Sequence, residues 1–127
     1  MLRIKRVYEP RETSDGTRLL VMRYWPRGIR SDHVDEWDRR FAPSKELLAE
    51  FQHHGLPWVE YAKRYWAELP PDAVDELRRR SHDETITLLC SCKNDLRCHR
   101  RLLHDAVVER RSSEKHPGSR RRSRARS

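Results

Sequence analysis

The chain has 127 residues, of which 28 are Lys or Arg and 20 are Asp or Glu, for a formal net charge of +8. That length describes one domain, large enough to bury a core without crosslinks. No apolar run approaches a membrane span, and the opening Met1-Leu2-Arg3-Ile4-Lys5-Arg6 is neither a signal peptide nor a transmembrane helix. All three cysteines, an odd number, fall within nine residues, which is unlike a secreted disulfide framework and makes the cytoplasm the expected compartment.

The elements follow in chain order. Leu2, Ile4, Arg6 and Tyr8 alternate with Arg3, Lys5 and Val7, a period-two pattern that predicts a first strand. Ser14-Asp15-Gly16 predicts a turn. Residues 18–24 predict a second strand, whose run Leu19-Leu20-Val21-Met22 implies burial on both faces, until Pro26 and Gly28 break it. Trp37 and Phe41 can share one face of a short helix after Ser31-Asp32. Ser44 is the N-cap candidate of the next helix, with Leu47, Leu48 and Phe51 as its buried edge and Gly55 as its stop. Pro57 opens a third, where Trp58, Tyr61, Ala62, Tyr65, Trp66 and Leu69 recur at helical spacing. Pro70-Pro71 separates a fourth, with Val74 and Leu77 inward and Arg78-Arg79-Arg80 near its C-terminus. Thr85-Ile86-Thr87-Leu88-Leu89 predicts a buried strand, and a last helix runs from about Leu96 to Arg110.

Strands alternating with helical patterns predict an α/β fold: a small, partly parallel sheet of three or four strands flanked by helices on both faces, in one compact domain over residues 1–111. Residues 110–127 carry eight basic side chains and one acid, so nearly all the excess charge is C-terminal. Residues 112–127, Arg/Ser-rich and almost without apolar side chains, are expected to be a disordered basic tail with salt-dependent, non-specific affinity for nucleic acid.

The most informative stretch is Leu88-Leu89-Cys90-Ser91-Cys92-Lys93-Asn94-Asp95-Leu96-Arg97-Cys98-His99-Arg100. A strand, a loop and a helix start place thiols, a histidine and arginines at the carboxyl end of a strand, where open α/β sheets bind ligands. Leu-Leu-Cys, seven intervening residues, and then Cys98-His99-Arg100 resemble the closing motif of the family known as domain of unknown function 488. Lys5-Arg6-Val7-Tyr8-Glu9-Pro10, Asp15-Gly16, Arg23-Tyr24-Trp25-Pro26-Arg27-Gly28, Glu36-Trp37 and Ala42-Pro43-Ser44 resemble its YeaO-like branch. Met22 and Cys92 depart from the usual pattern, which has an acid and a non-cysteine there. The resemblance implies a fold more than an activity.

Three chemistries fit the turn. In the first, Cys98 and His99 are catalytic: with Asp95 as cap, Cys98 lies in the first turn of the last helix, where free N–H groups lower a thiol pKa. On that basis Cys98 should alkylate fastest and Cys90 slowest. In the second, Cys90, Cys92, Cys98 and His99 hold a metal; but adjacent residues on a helix diverge by about 100°, so no metal ligands are assigned and no cofactor is identified. In the third, Arg23, Arg27 and Arg100 converge on a small anion (phosphate, nucleotide or carboxylate), with Trp25 as a stacking wall. This third reading is the leading expectation; a cysteine-dependent enzyme or redox thiol protein at the same turn is the alternative. No membrane partner is expected, and the sequence leaves the oligomeric state open.

Overall fold

The computed structural model describes residues 1–94 and 97–113 of the chain. Four strands, β1 (Leu2–Arg6), β2 (Thr17–Leu20), β3 (Glu36–Trp37) and β4 (Ile86–Cys90), form a single sheet in the order β1-β4-β2-β3. Every neighbouring pair is parallel, so the sheet is parallel throughout. Four helices complete the domain: α1 (Lys45–His53), α2 (Trp58–Glu68), α3 (Pro71–Asp83) and α4 (His99–Ser113).

β4 is the centre. All five of its residues are buried, as a continuous apolar run flanked by two parallel neighbours requires. Its register sets Arg6 of β1 opposite Cys90 and Leu20 of β2 opposite Leu89. The ladder runs one residue beyond the strand ends, where the amides of Val7 and Val21 donate to the carbonyls of Cys90 and Leu89.

The two faces of the sheet are covered differently. Leu19, Val21, Ile86 and Leu88 pack against apolar residues from all four helices, including Leu47, Tyr61, Tyr65, Val74, Leu77 and Leu103. The residues that alternate with them, Leu20 and Leu89, join Val7 in a smaller cluster closed by Met22, Ile29, Val34 and Trp37. Helices therefore cover one face and loops the other, rather than helices covering both. The loops suffice because this face is partly polar, as described below.

The helices α1 to α3 begin and end close to where their signals lie. The Ser44 hydroxyl accepts from the Leu47 amide at the start of α1, and Gly55 follows its end at φ 71°. The stripe on α2 buries Tyr61, Ala62 and Tyr65, with Tyr61 stacked on Phe51 at 4.2 Å.

Three elements differ from expectation. The first two strands stop at Arg6 and Leu20, short of residues 8 and 24. The helix expected around Trp37 and Phe41 is instead the two-residue strand β3 followed by a 3-10 turn at Arg39–Phe41. The i,i+4 spacing of the two aromatics fits a helix, but each serves a different core: Phe41 joins the helix side and Trp37 the loop side. Finally, α4 begins at His99, so Cys98 precedes the helix instead of lying within its first turn. The proposed cap Asp95 and the residues after Ser113, with most of the expected tail, lie outside the described residues.

Beneath the loop face lies a buried ionic cluster. Asp15 and Arg18 are fully buried and Lys5 is 9% exposed. The Asp15 carboxylate accepts from Lys5 Nζ at 3.0 and 3.1 Å, from the Glu12 amide at 3.0 Å and from Arg18 Nη1. Arg18 spends its other donors on the carbonyls of His33 and Glu9. Burial alone would raise the Asp15 pKa, but the Glu12 amide, Lys5 and Arg18 outweigh it and hold the carboxyl at about 2. The cluster pins the ten-residue connection from β1 to β2 across the sheet, and Thr87 of β4 donates its hydroxyl to the Asp15 carbonyl.

Candidate functional site

The carboxyl edge of the sheet gathers the chemistry. Cys90 ends β4 on the helix-covered face, Cys92 follows in the loop, Cys98 immediately precedes α4 and His99 opens it. The three sulfurs all lie within 4.8 Å of one another, with Cys90 and Cys92 Sγ 3.6 Å apart. Cys90 and Cys98 are buried, while Cys92 retains partial exposure.

His99 is the floor of the cluster. Its Nε2 sits 2.6 Å from the carbonyl oxygen of Val21, the first residue past β2. A carbonyl only accepts, so Nε2 carries the proton and Nδ1 presents a lone pair. That Nδ1 lies 4.0 Å from both Cys90 and Cys98 sulfurs. The Tyr65 ring packs on the imidazole at 5.7 Å, and the tyrosine hydroxyl donates to the Phe41 carbonyl. Burial pushes the His99 pKa down and keeps the ring neutral.

Arg100 is 2% exposed. Its Nη1 donates to the carbonyls of Cys90 and Cys92 at 3.2 and 3.1 Å and lies 3.9 Å from Cys98 Sγ. Its Nε is buried and has no hydrogen-bond partner among the described residues. The guanidinium thus ties the thiol loop to the helix and places a positive charge against the sulfurs. Hydrogen bonds from Cys92 and Cys98, aided by Arg100, hold the Cys90 thiol well below its ordinary range despite burial. Interaction with Cys90 pushes the other two thiols up. The three shifts share one cause: a charge on one sulfur opposes ionisation of its neighbours, so the cluster resists carrying more than one thiolate.

The arginines expected to form a clamp do not converge in one place. Arg23 directs Nε and Nη2 to the carbonyls of Pro43 and Ala42, tying the end of the β2 segment to the start of α1. Trp25 is 37% exposed, donates its indole N–H to Ile29 and meets Trp37 edge-on at 5.3 Å. Arg27 is exposed. Of the residues singled out by sequence, Cys98, His99 and Arg100 share one cluster, joined by Cys90 and Cys92.

Two residues without a sequence assignment border this edge. Arg6 ends β1 opposite Cys90, donates Nε to the Ser91 carbonyl at 3.2 Å and lies over the Tyr8 ring at 5.0 Å. Tyr8 in turn donates its hydroxyl to the Arg27 carbonyl. Only the register of β1 on β4 reveals this link, because 84 residues separate Arg6 from Cys90. Lys93 and Arg97 are exposed on the loop itself. The thiol loop is therefore bordered by Arg6, Lys93 and Arg97, with Arg27 linked to Arg6 through Tyr8.

Comparison with known proteins agrees with the motifs. No solved structure matches. The chain is 38% identical over 108 residues to the uncharacterized protein YeaO of Escherichia coli (strain K12), covering 82% of this chain and 94% of that one. It is also 38% identical over 105 residues to uncharacterized proteins of Mycobacterium bovis and Mycobacterium tuberculosis, covering 80% of this chain and 89% of each. Residues 2–111 match the family model described as the active DUF488-N3 subclade. With its central Cys90 strand and its Cys98-His99-Arg100 helix start both inside that match, the chain belongs to the DUF488 family and is YeaO-like.

Proposed function

We propose that the carboxyl edge of the sheet takes a small anionic ligand (phosphate, nucleotide or carboxylate) and presents it to the thiol cluster. The observation that carries this reading is the joining of three mutually close sulfurs to a basic rim at the carboxyl end of a parallel strand. Arg6, Arg27, Lys93 and Arg97 supply positive charge, and the partly exposed Cys92 is the sulfur a ligand would meet first. Arg100 plays a different part from the clamp expected of it. Buried and engaged with backbone carbonyls, it offsets thiolate charge from beneath and fixes the loop. The description of the subclade as active supports a site that does chemistry.

The test is a thermal-shift series with phosphate, nucleoside phosphates and small carboxylates, on the wild type and on Arg6→Gln and Arg27→Gln. A ligand at ten times its Kd adds about 1.4 kcal/mol, or roughly 5 °C for a domain of this size. Both variants should keep their ligand-free midpoint within a few degrees and lose at least half of that gain. No gain over a chloride control of equal ionic strength, or the same gain in all three proteins, would overturn the reading.

A further inference from the structure

The thiol cluster has a second capability that does not depend on an anion. Four potential ligand atoms face one point: the sulfurs of Cys90, Cys92 and Cys98, within 4.8 Å of one another, and His99 Nδ1, 4.0 Å from two of them. Around a tetrahedral zinc ion, bond lengths near 2.3 Å to sulfur and 2.0–2.1 Å to nitrogen place ligand sulfurs about 3.8 Å apart, and sulfur about 3.6 Å from nitrogen. The observed separation of Cys90 and Cys92 is 3.6 Å. The other sulfur–sulfur distances, at most 4.8 Å, need to contract by about 1 Å or less, and the Nδ1 distances to Cys90 and Cys98, 4.0 Å each, by about 0.4 Å.

We propose that Cys90, Cys92, Cys98 and His99 form a Cys3His site for a thiophilic divalent cation, zinc foremost. Two further features support it. The His99 ring is fixed in the tautomer that ligation through Nδ1 demands, with the opposite N–H donated to the Val21 carbonyl. Metal-bound histidines ordinarily have such a backbone or carboxylate partner. Three thiolates and one divalent cation also carry a net charge of −1, and the buried Arg100 guanidinium lies 3.9 Å from Cys98 Sγ to compensate it. The objection that neighbouring helical residues diverge falls away, because Cys98 precedes the helix and its side chain is free of the helical angle to His99. On binding, the metal takes the sulfur lone pairs and the thiol protons pass to solvent.

Cys92 is the ligand to test. It is in the loop and only partly buried, so Cys92→Ser should fold. Reduced full-length protein, freed of metal by chelation, is titrated with Co²⁺ and then with Zn²⁺ in competition. The expected result is one Co²⁺ per chain, with intense tetrahedral d–d bands and a near-ultraviolet thiolate-to-cobalt band, displaced by Zn²⁺. Cys92→Ser should bind at least tenfold more weakly and lose roughly a third of the charge-transfer intensity, as one of three thiolates is removed. Failure to develop the bands at equimolar metal, an octahedral spectrum, or unchanged binding by Cys92→Ser would overturn the site. Running the anion series on metal-free and metal-loaded protein separates the two proposals. Anion stabilisation without cobalt uptake defeats only the metal site, and cobalt uptake without anion stabilisation defeats only the anion reading.

Discussion

Replacing Asp15 with asparagine should unfold this domain's stability more than its place in a surface-seeming turn suggests. The carboxylate is fully buried and is the only acid within salt-bridge distance of Arg18 among the described residues; it also pairs with Lys5. Asparagine keeps the shape, but its amide sets donors against donors and leaves a fully buried guanidinium uncompensated. Breaking a buried pair on one side costs about 3–5 kcal/mol, against about 0–1 kcal/mol for an exposed pair. At roughly 4 °C per kcal/mol, the thermal midpoint should fall by about 12–20 °C. The pH dependence gives a second signature. With a folded pKa of about 2 against an ordinary 3.8, Asp15 is a depressed acid. Its contribution is therefore fully present above about pH 4 and is lost as pH falls through 2. Urea titrations from pH 7 to 2 should show wild type losing on the order of 2 kcal/mol in that window, with the Asp15→Asn loss at neutral pH and no matching acid step. A penalty under about 1 kcal/mol at pH 7 would refute the buried-cluster argument, because it would mean that water screens the pair.

Two further outcomes follow from the geometry. In chelated, reduced protein Cys92 should react first with iodoacetamide and Cys90 and Cys98 much more slowly, because only Cys92 is accessible; peptide mapping that found Cys98 fastest would restore the helix-start argument. Gly16→Ala should cost more than about 3 kcal/mol, since a Cβ there would stand 2.1 Å from the Thr85 carbonyl oxygen at φ 63°, whereas Gly55→Ala, at φ 71° with open space around it, should cost only about 1 kcal/mol. Equal denaturation midpoints for the two variants would show that the approach to Thr85 is relaxed easily.

Much of the helical half was legible because its signals are local. Ser44 before Leu47, Gly55 after α1, and the Trp58-to-Leu69 stripe each act within a turn or two of chain. The strand of β4 was equally plain, as an apolar run bounded by polar residues. What escaped was set by distance along the chain. A two-residue strand such as Glu36–Trp37 has no period to detect, and it forms because Asp35 and Asp38 amides reach the Arg18 and Leu20 carbonyls. Asp15 has the composition of a turn residue, and nothing local announces that Lys5 and Arg18 will enclose it. At the site, the thiols, His99 and Arg100 could be named from their motif. Their mutual geometry depended on where α4 starts, and the link from Arg6 to Ser91 depended on strand register.

The position of β4 also governs how the protein can assemble. β1 and β2 come early in the chain yet never touch as neighbours; the slot between them is filled by residues 86–90. Until that segment has emerged, β1 has no strand to pair with and β2 has only the two-residue β3. Closing the sheet then means bringing together segments more than 60 residues apart, an entropic demand that slows folding relative to local helical contacts. The same event delivers Cys90 to the carboxyl edge and draws α4, with Cys98 and His99, down onto Val21. A nascent or partly unfolded chain therefore lacks the close-set trio, which arises only once residues 86–90 have joined the sheet and α4 has docked.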